Sequence, residues 1–250
     1  MPYVKRTTRA GKTLEIEKYY TSRYNKRGGS RAAHAKPTEE QQKKINTRQA
    51  ERRLRLLMNA NFGYGDYHVV LDYIRHRGEP ERTREQMRRD ADIFLRELRK
   101  LYRAAGLELK YIHVMETGQK GARHHHLVLN HADPKFIQAA WKKAYKENNR
   151  VKIFPLDESG NYRKLAAYFI KYTDSHPKGS AGALQGKRWN CSKNLVRPVP
   201  EYEIINKSWF RHEIKAPKGY YIDKETLRSG INDDEHGGYE WLHYILVQLE

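Results

Sequence analysis

The sequence predicts an α+β fold with an antiparallel-rich central sheet and helices packed on it. From residue 66 onward, segments with the two-residue alternation of a β-strand take turns with segments whose apolar residues recur at helical spacing. Two strand segments follow each other directly, separated only by the short turn GQKG, which predicts a hairpin. Helices that return to one sheet around a central hairpin are typical of an α+β sandwich.

The elements of this region are predicted in the order β, α, β, β, α, β, α, which indicates a ferredoxin-like, RRM-like arrangement. The strand segments are residues 66–74, 107–118, 122–130 and 150–156. The helical segments are residues 79–106, 132–147 and 161–175. Gly106 is expected to end the first of these helices, because glycine is the preferred residue just beyond a helix C-terminus.

Residues 1–60 are predicted to form a basic N-terminal arm and a helix. They hold 16 Lys and Arg against 5 Asp and Glu, and the part up to Lys36 has few apolar residues to bury, which indicates a flexible arm. A helix follows, with an N-cap at Thr38 and the acids Glu39 and Glu40 in its first turn. A solvated basic helix and a DNA-contacting helix both fit this composition.

The sequence therefore divides into three expected parts. The arm and helix occupy residues 1–60, the central α+β domain residues 61–200, and a β-rich extension packed on that domain residues 201–250. The extension is inferred from short strand-like segments separated by Gly-rich joints.

The composition favours a polyanionic partner. Lys and Arg number 49 against 30 Asp and Glu, which gives a formal charge of +19 and a pI near 9.8. Nucleic acid is the first partner that such a field attracts, and no apolar run long enough for a membrane span is present. The single cysteine, Cys191, excludes an internal disulfide and a thiolate metal cluster. Because the first residues lack the apolar segment of a secretory signal, we expect a cytoplasmic protein.

Three consecutive histidines lie in the strand segment 122–130. Because side chains alternate along a strand, His124 and His126 share one face and His125 points to the other. Two imidazoles at this spacing can bind a divalent ion, and Glu116 completes the set if the hairpin pairs it across from them. Such an open set suits Mg²⁺ or Mn²⁺ better than a structural Zn²⁺. An exposed histidine cluster that binds no metal is the alternative.

The helical segment 161–175 carries two tyrosines one turn apart, Tyr168 and Tyr172, with Lys171 close to the same face. A tyrosine can act as a nucleophile on a polarised target, and a metal ion on a phosphodiester provides such a target. Lys171 would stabilise the developing phenolate or hold a phosphate oxygen. The alternative is that both tyrosines belong to an apolar stripe packed on the sheet.

Four motifs, in this order, resemble those of the HUH endonuclease superfamily, and specifically of rolling-circle replication initiators. They are HVVLDY in the first strand, ETG at the end of the next, RHHHLVLN in the histidine strand and YFIKY in the tyrosine helix. YFIKY is similar to the two-tyrosine helix of the gene A initiators of small isometric phages. RWNCSKNLVRP, residues 188–198, is similar to a basic segment in initiators of phages and integrative mobile elements. The resemblance covers about residues 38–200.

The resemblance implies that residues 61–200 form an HUH nuclease domain, a metal-dependent endonuclease and strand transferase that nicks and joins single-stranded or origin DNA. Tyr168 would attack a phosphate, leaving a 5′-phosphotyrosine and a free 3′-OH, and Tyr172 would accept a second cleavage. The residues expected to contact the DNA are Arg123, Arg188, Lys193 and Arg197. The P-loop motif of a helicase is absent, so a host helicase and polymerase are the expected partners.

The sequence departs from the family pattern at three positions. The middle residue of the HUH motif is normally bulky and hydrophobic, whereas His125 occupies it here and is a potential competitor for the ion. Asp72 in the first strand has no assigned role. Some relatives carry an acid where Tyr172 stands, so Tyr168 is the preferred nucleophile.

Three other functions remain open from the sequence. A relaxase or transposase of a mobile element would use the same chemistry. A non-catalytic nucleic-acid-binding protein on an RRM-like sheet would need neither metal nor nucleophile. A metal-dependent nuclease that uses water would leave Tyr168 in the core.

Overall fold

The computed structural model describes residues 3–21, 37–74, 82–117, 122–147, 150–173, 188–205, 214–232 and 238–249. These residues confirm the predicted α+β class, because they contain four helices and two antiparallel five-stranded sheets. The chain divides into two compact units. The terminal unit comprises Met1–Gln49, Ser159–Asn161 and Arg197–Glu250, and the central unit comprises Ala50–Glu158 and Tyr162–Val196.

The elements follow one another as β1 (Tyr3–Ala10), β2 (Thr13–Tyr20), α1 (Glu39–Asn61), β3 (Tyr67–Asp72), α2 (Arg84–Ala104), β4 (Tyr111–Thr117), β5 (Arg123–Leu129), α3 (Pro134–Ala144), β6 (Arg150–Pro155), α4 (Arg163–Thr173), β7 (Asn190–Cys191), β8 (Glu201–Ile205), β9 (Tyr220–Asn232) and β10 (Tyr239–Gln248). From β3 to α4 this order is the predicted one.

The sheet of the central unit has the strand order β6-β3-β5-β4-β7, with antiparallel neighbours throughout. One face packs against α2 and α3 through a cluster that includes Leu71, Leu127, Phe94 and Trp141. The opposite face packs against α4 and the second half of α1 through a separate cluster, whose members include Val114, Val128, Leu54, Met58 and Phe169. Alternate residues of β5 therefore belong to two different cores, as the two-residue period of a strand requires.

The helix ends follow the chemistry that the sequence predicts. Thr38 and Gln41 exchange side-chain and backbone hydrogen bonds at the start of α1, which forms the expected cap. Thr83 caps α2 in the same way with Gln86. Gly106 follows α2 with a φ of 71°, a conformation that glycine adopts without strain.

The strand predicted to begin at residue 107 begins at Tyr111 instead. The side chain of Asn130 bonds the backbone of this segment at both ends, accepting from the Lys110 amide and donating to the Glu108 carbonyl. These side-chain bonds take the place of strand pairing, so residues 107–110 are irregular chain outside the sheet.

The prediction of a flexible basic arm up to Lys36 is wrong for residues 3–20. β1 and β2 form a hairpin around Gly11, and the sheet of the terminal unit has the order β8-β1-β2-β10-β9. The few apolar residues of the hairpin alternate with charged ones, and Tyr3 and Ile16 are buried in a core cluster with Leu242. Composition alone missed this because the partners of the hairpin lie about 200 residues later. Residues 22–36 lie outside the described residues.

Both ends of the chain therefore contribute to one sheet, whereas the sequence had suggested an N-terminal appendage and a C-terminal extension packed on the central domain. In the part of the chain that the structure describes, no helix has the length and apolar character needed to cross a bilayer.

Candidate active site

The strand register brings Glu116 and the outer two histidines together. Glu116 of β4 lies directly across from His124 of β5, and His126 is two residues further along the same face. His124 Nε2 lies 3.3 Å from Glu116 Oε1, and His126 Nε2 lies 2.6 Å from Glu116 Oε2. We call these three residues the Glu-His-His cluster. Among the described residues they are a group that could hold a metal ion.

The donor atoms of this cluster fit a cation. Glu116 Oε2 and His126 Nε2 are buried, and despite their short separation they are not in hydrogen-bonding geometry with each other or with any other described residue. Buried polar atoms without a hydrogen-bond partner are rare, and a bound ion or water is the usual explanation for them. Two imidazole nitrogens and one carboxylate form an open facial set for a divalent metal. The geometry fits such an ion without identifying it.

The charge of Glu116 suits this role. Burial raises the pKa of the Glu116 carboxyl, but the neighbouring imidazoles of His124 and His126 outweigh burial and lower that pKa to about 2. The carboxyl is therefore ionised at neutral pH and can serve as a metal ligand.

His68 of β3 holds His126 in the orientation that the cluster needs. Its Nε2 lies 3.1 Å from His126 Nδ1, and the two rings stack with centroids 5.4 Å apart. Burial lowers the pKa of His68 to about 4, so the ring is neutral and one of its nitrogens can accept a hydrogen bond. With a metal ion in the cluster, His126 Nε2 would bind it through its lone pair, so the ring hydrogen would lie on Nδ1 and be donated to His68. The lone pair of Nε2 then faces the cluster.

His125 does not compete for the ion, contrary to the sequence-based expectation. It lies on the opposite face of the sheet and is fully buried, with Trp141 against its ring. His125 Nδ1 is 2.9 Å from His113 Nε2, and its Nε2 is 2.7 Å from the hydroxyl of Tyr73. Tyr73 in turn donates to Asp90 Oδ2 at 2.9 Å. Both ring nitrogens of His125 are therefore occupied, and His125 lies in the middle of a hydrogen-bonded chain that runs from His113 to Asp90.

Burial makes the histidines of this chain neutral. It lowers the pKa of His113 to about 4 and moves the pKa of His125 well below its usual value. Burial also raises the pKa of Tyr73, which keeps its hydroxyl protonated as a donor.

Helix α4 presents Tyr168 to the Glu-His-His cluster. Its ring centroid lies 5.4 Å from that of His126, with the planes nearly perpendicular at 82°. The buried stripe of α4 consists of Ala166, Phe169 and Ile170, whereas Tyr168 is 37% exposed. Tyr168 is thus outside the stripe that packs on the sheet, which removes the main argument for a purely structural role.

The structure describes less about the two other candidate residues of α4, Lys171 and Tyr172. Lys171 is exposed in the last turn of the helix. The backbone of Tyr172 is helical one turn after Tyr168, and its side chain lies outside what the structure describes.

The edge strand β6 adds residues that the sequence did not single out. Phe154 pairs with His68, Lys152 with Val70 and Arg150 with Asp72, so their side chains share the face of the Glu-His-His cluster. Asp72 also lies across from His124, and it forms an ion pair with Lys152 at 2.7 Å. The side-chain alternation of β3 was visible in the sequence, but its pairing with β5 and β6 was not.

The residues predicted to contact DNA lie on different parts of the fold, each within its own unit. Arg123 lies on the face of His125, and its guanidinium donates to the backbone carbonyl of Arg82. Arg188 is partly buried and Lys193 is exposed on either side of β7, which pairs with the edge of β4. Arg197 belongs to the terminal unit. A role in DNA binding stays a prediction for all four.

Comparison with known proteins gives one match. Residues 66–176 match the family model described as replication-associated protein ORF2/G2P, which is less than half of the chain. The matched segment contains β3 to α4 and therefore the whole Glu-His-His cluster and Tyr168. The similarity is therefore to the part of the chain that carries the candidate site. Searches of the curated proteins and of the solved structures found no match.

Proposed function

We propose that this protein is a metal-dependent, site-specific endonuclease that nicks and rejoins single-stranded origin DNA to initiate rolling-circle replication. One observation carries the proposal: the exposed ring of Tyr168 stands against His126, a member of the Glu-His-His cluster. The similarity of this segment to replication-associated proteins gives that juxtaposition its biological context.

The cluster would hold Mg²⁺ or Mn²⁺ through Glu116, His124 and His126. Such an ion, when bound, supplies electrophilic polarisation of a phosphate oxygen. His68 would keep the ring of His126 oriented for this role through its hydrogen bond to Nδ1. The low pKa of Glu116 keeps its carboxylate ionised across the physiological pH range.

Tyr168 is the proposed nucleophile. Its hydroxyl oxygen attacks the scissile phosphorus, the bond from phosphorus to the 3′-oxygen breaks, and the DNA 5′ end becomes linked to the tyrosine. The phenol loses one proton and the departing 3′-oxygen gains one, so the products are a 5′-phosphotyrosine and a free 3′-OH. Because the phosphodiester is exchanged rather than hydrolysed, attack by a 3′-OH on the phosphotyrosine rejoins the strand.

Lys171 and Tyr172 have supporting parts in this proposal. Lys171, in the same helix, would stabilise the phenolate that forms on Tyr168 or hold a phosphate oxygen. Tyr172, one turn later, would accept the second cleavage after a round of synthesis. The net charge of +19 supplies salt-dependent affinity for the DNA backbone.

Covalent capture tests the proposal without knowledge of the origin. Labelled single-stranded oligonucleotides with a randomised central region are incubated with the full chain and Mn²⁺, and adducts are separated on a denaturing gel and sequenced. We expect a covalent adduct for the wild type and none for Tyr168→Phe. The matched control is Tyr64→Phe, which removes a hydroxyl from a tyrosine that is 73% exposed, and it should form the adduct normally.

Other outcomes identify the alternatives. Strand cleavage that persists in Tyr168→Phe would indicate a nuclease that uses water and would overturn the proposed mechanism. DNA binding that is unchanged in EDTA, without cleavage or adduct under any metal, would indicate a non-catalytic binding protein. A relaxase or transposase would form the same adduct, and the sequences captured from the library would distinguish a replication origin from a transfer or transposon end.

A further inference from the structure

The edge strand β6 carries three side chains on the face of the Glu-His-His cluster that the proposed chemistry does not use. We infer that Arg150, Lys152 and Phe154 form a docking surface for single-stranded DNA next to the cluster. In this surface Phe154 stacks on a base, while Lys152 and Arg150 bind backbone phosphates. The inference rests on the proposed function for its choice of partner.

Position is the first argument. Among the described strands, β6 is the outermost of its sheet and pairs with β3, which separates it from β5. Two strand spacings amount to about 10 Å. A DNA strand whose phosphate reaches His124 and His126 would therefore have its neighbouring nucleotides over β3 and β6.

The exposure of Phe154 is the second argument. Its side chain is 50% exposed, although Phe62, Tyr162 and Phe169 in the core cluster of this sheet face are buried. Its ring lies 5.8 Å from the ring of His68, the residue that holds His126. A half-exposed aromatic ring connected to the cluster through one imidazole is the kind of platform on which an unpaired base stacks.

Charge is the third argument. Lys152 and Arg150 are exposed on the same strand face, and Lys152 is paired only with Asp72 among the interactions described for it. Because the Lys152 end of this pair is 58% exposed, water screens the interaction, and a phosphate can draw Lys152 away from Asp72 at low cost. Two cations beside an aromatic ring complement a single strand, which offers phosphates and bases alternately. An acidic peptide would use the cations and leave Phe154 without a role.

The first test measures binding alone. Anisotropy of fluorescein-labelled oligothymidine is followed with the full chain in EDTA, so that neither metal nor strand cleavage contributes. We expect Phe154→Ala to weaken binding roughly tenfold, in line with the loss of one stacked base. Phe154→Tyr should bind like the wild type. Phe154→Leu should bind as weakly as the alanine variant, because stacking needs an aromatic ring.

The second test concerns charge. Lys152→Glu should weaken binding and reduce the slope of log affinity against log salt by about 1, which corresponds to one lost phosphate contact. The matched control is Lys142→Glu on α3, which makes the same charge change on the helix that covers the other sheet face. That variant should leave the slope close to the wild-type value. Thermal melts of all variants check that each is folded.

The outcomes separate this inference from the proposed function. If Phe154→Leu and Lys152→Glu bind oligothymidine as tightly as the wild type, the docking surface is overturned, whatever the covalent assay gives. If both variants weaken binding but no Tyr168-dependent adduct ever forms, the surface stands and the nicking mechanism falls. An equal loss in Lys152→Glu and Lys142→Glu would show that only net charge matters, and this would also overturn the inference.

Discussion

The two faces of β5 use the same amino acid in opposite ways. On one face His124 and His126 converge on Glu116, and the buried atoms His126 Nε2 and Glu116 Oε2 have no hydrogen-bond partner among the described residues. On the other face His125 has both ring nitrogens bonded, to His113 and to Tyr73. The face of the Glu-His-His cluster therefore has a ring nitrogen and a carboxylate oxygen available to bind an ion. On the opposite face both ring nitrogens of His125 are already in hydrogen bonds.

This difference shows that the surroundings of a histidine decide its chemistry. Neighbouring polar groups complete the hydrogen bonding of His125, so it can be buried at low cost. His126 is also buried, but only its Nδ1 has a partner, His68, and its second nitrogen remains available for a ligand. A buried site with an incomplete set of partners is where an ion would add the most stability.

The largest expected effect is on metal binding by the Glu-His-His cluster. His126→Ala removes a ligand, so Mn²⁺ affinity measured by calorimetry and the yield of covalent adduct should both fall by more than about 100-fold, beyond what loss of an outer-shell partner costs. Adduct formation at the wild-type rate in this variant would contradict the assignment of the cluster.

The next largest effect is on stability, and it concerns the sheet face that carries His125. His125→Leu leaves the buried Nε2 of His113 without its partner and removes one of the two hydrogen bonds of the Tyr73 hydroxyl, which keeps the one to Asp90, so the free energy of unfolding should fall by about 2 to 4 kcal/mol. Urea unfolding with an unchanged m-value measures this. Mn²⁺ affinity of the folded variant should stay near the wild-type value. A loss as large as that in His126→Ala would show that the two faces are not independent.

A smaller effect on Mn²⁺ affinity is expected from a substitution of His68, which hydrogen-bonds His126 but is not a member of the Glu-His-His cluster. His68→Phe keeps a ring against His126 but removes the acceptor for its Nδ1 hydrogen, so Mn²⁺ affinity should fall by about 10- to 100-fold. His131→Phe, a change at an exposed histidine of the same unit, is the control and should bind Mn²⁺ normally. Equal affinities for the two variants would remove His68 from the site.

The smallest effect is on pH dependence. Burial lowers the pKa of His113 to about 4 from 6.5, so between these values the unfolded chain binds a proton that the folded chain does not. Stability should therefore fall as the pH falls from about 6.5 to about 4, and this residue should add nothing further below that window. His113→Gln keeps a donor for His125 but cannot titrate.

Urea unfolding at several pH values measures that change. In His113→Gln the slope of stability against pH should be smaller by up to about 1.4 kcal/mol per pH unit inside the window. Identical slopes for the variant and the wild type would mean that His113 is not buried in its neutral form.

How well a feature could be predicted from the sequence depended on how far apart along the chain its interacting residues lie. The shared face of His124 and His126 was predictable because it follows from the alternation of a single strand, and their alignment with Glu116 followed from a short hairpin. His68 and Phe154 were missed because their place beside the cluster depends on pairing between β3, β5 and β6. The same cause explains the N-terminal hairpin, whose partner strands lie at the other end of the chain.

By itself the sequence determined the α+β class, the order of elements from β3 to α4, the basic charge and the common face of the two outer histidines. These properties depend on composition and on backbone periods that act over a few residues. Only the tertiary structure decided which side chains meet and which are buried. It thereby decided the low pKa of Glu116 beside two imidazoles, the hydrogen-bonded chain around His125 and the exposure of Tyr168 beside His126. Burial is a property of contacts between distant segments, and it sets both the cost of a charge and the partners available to it.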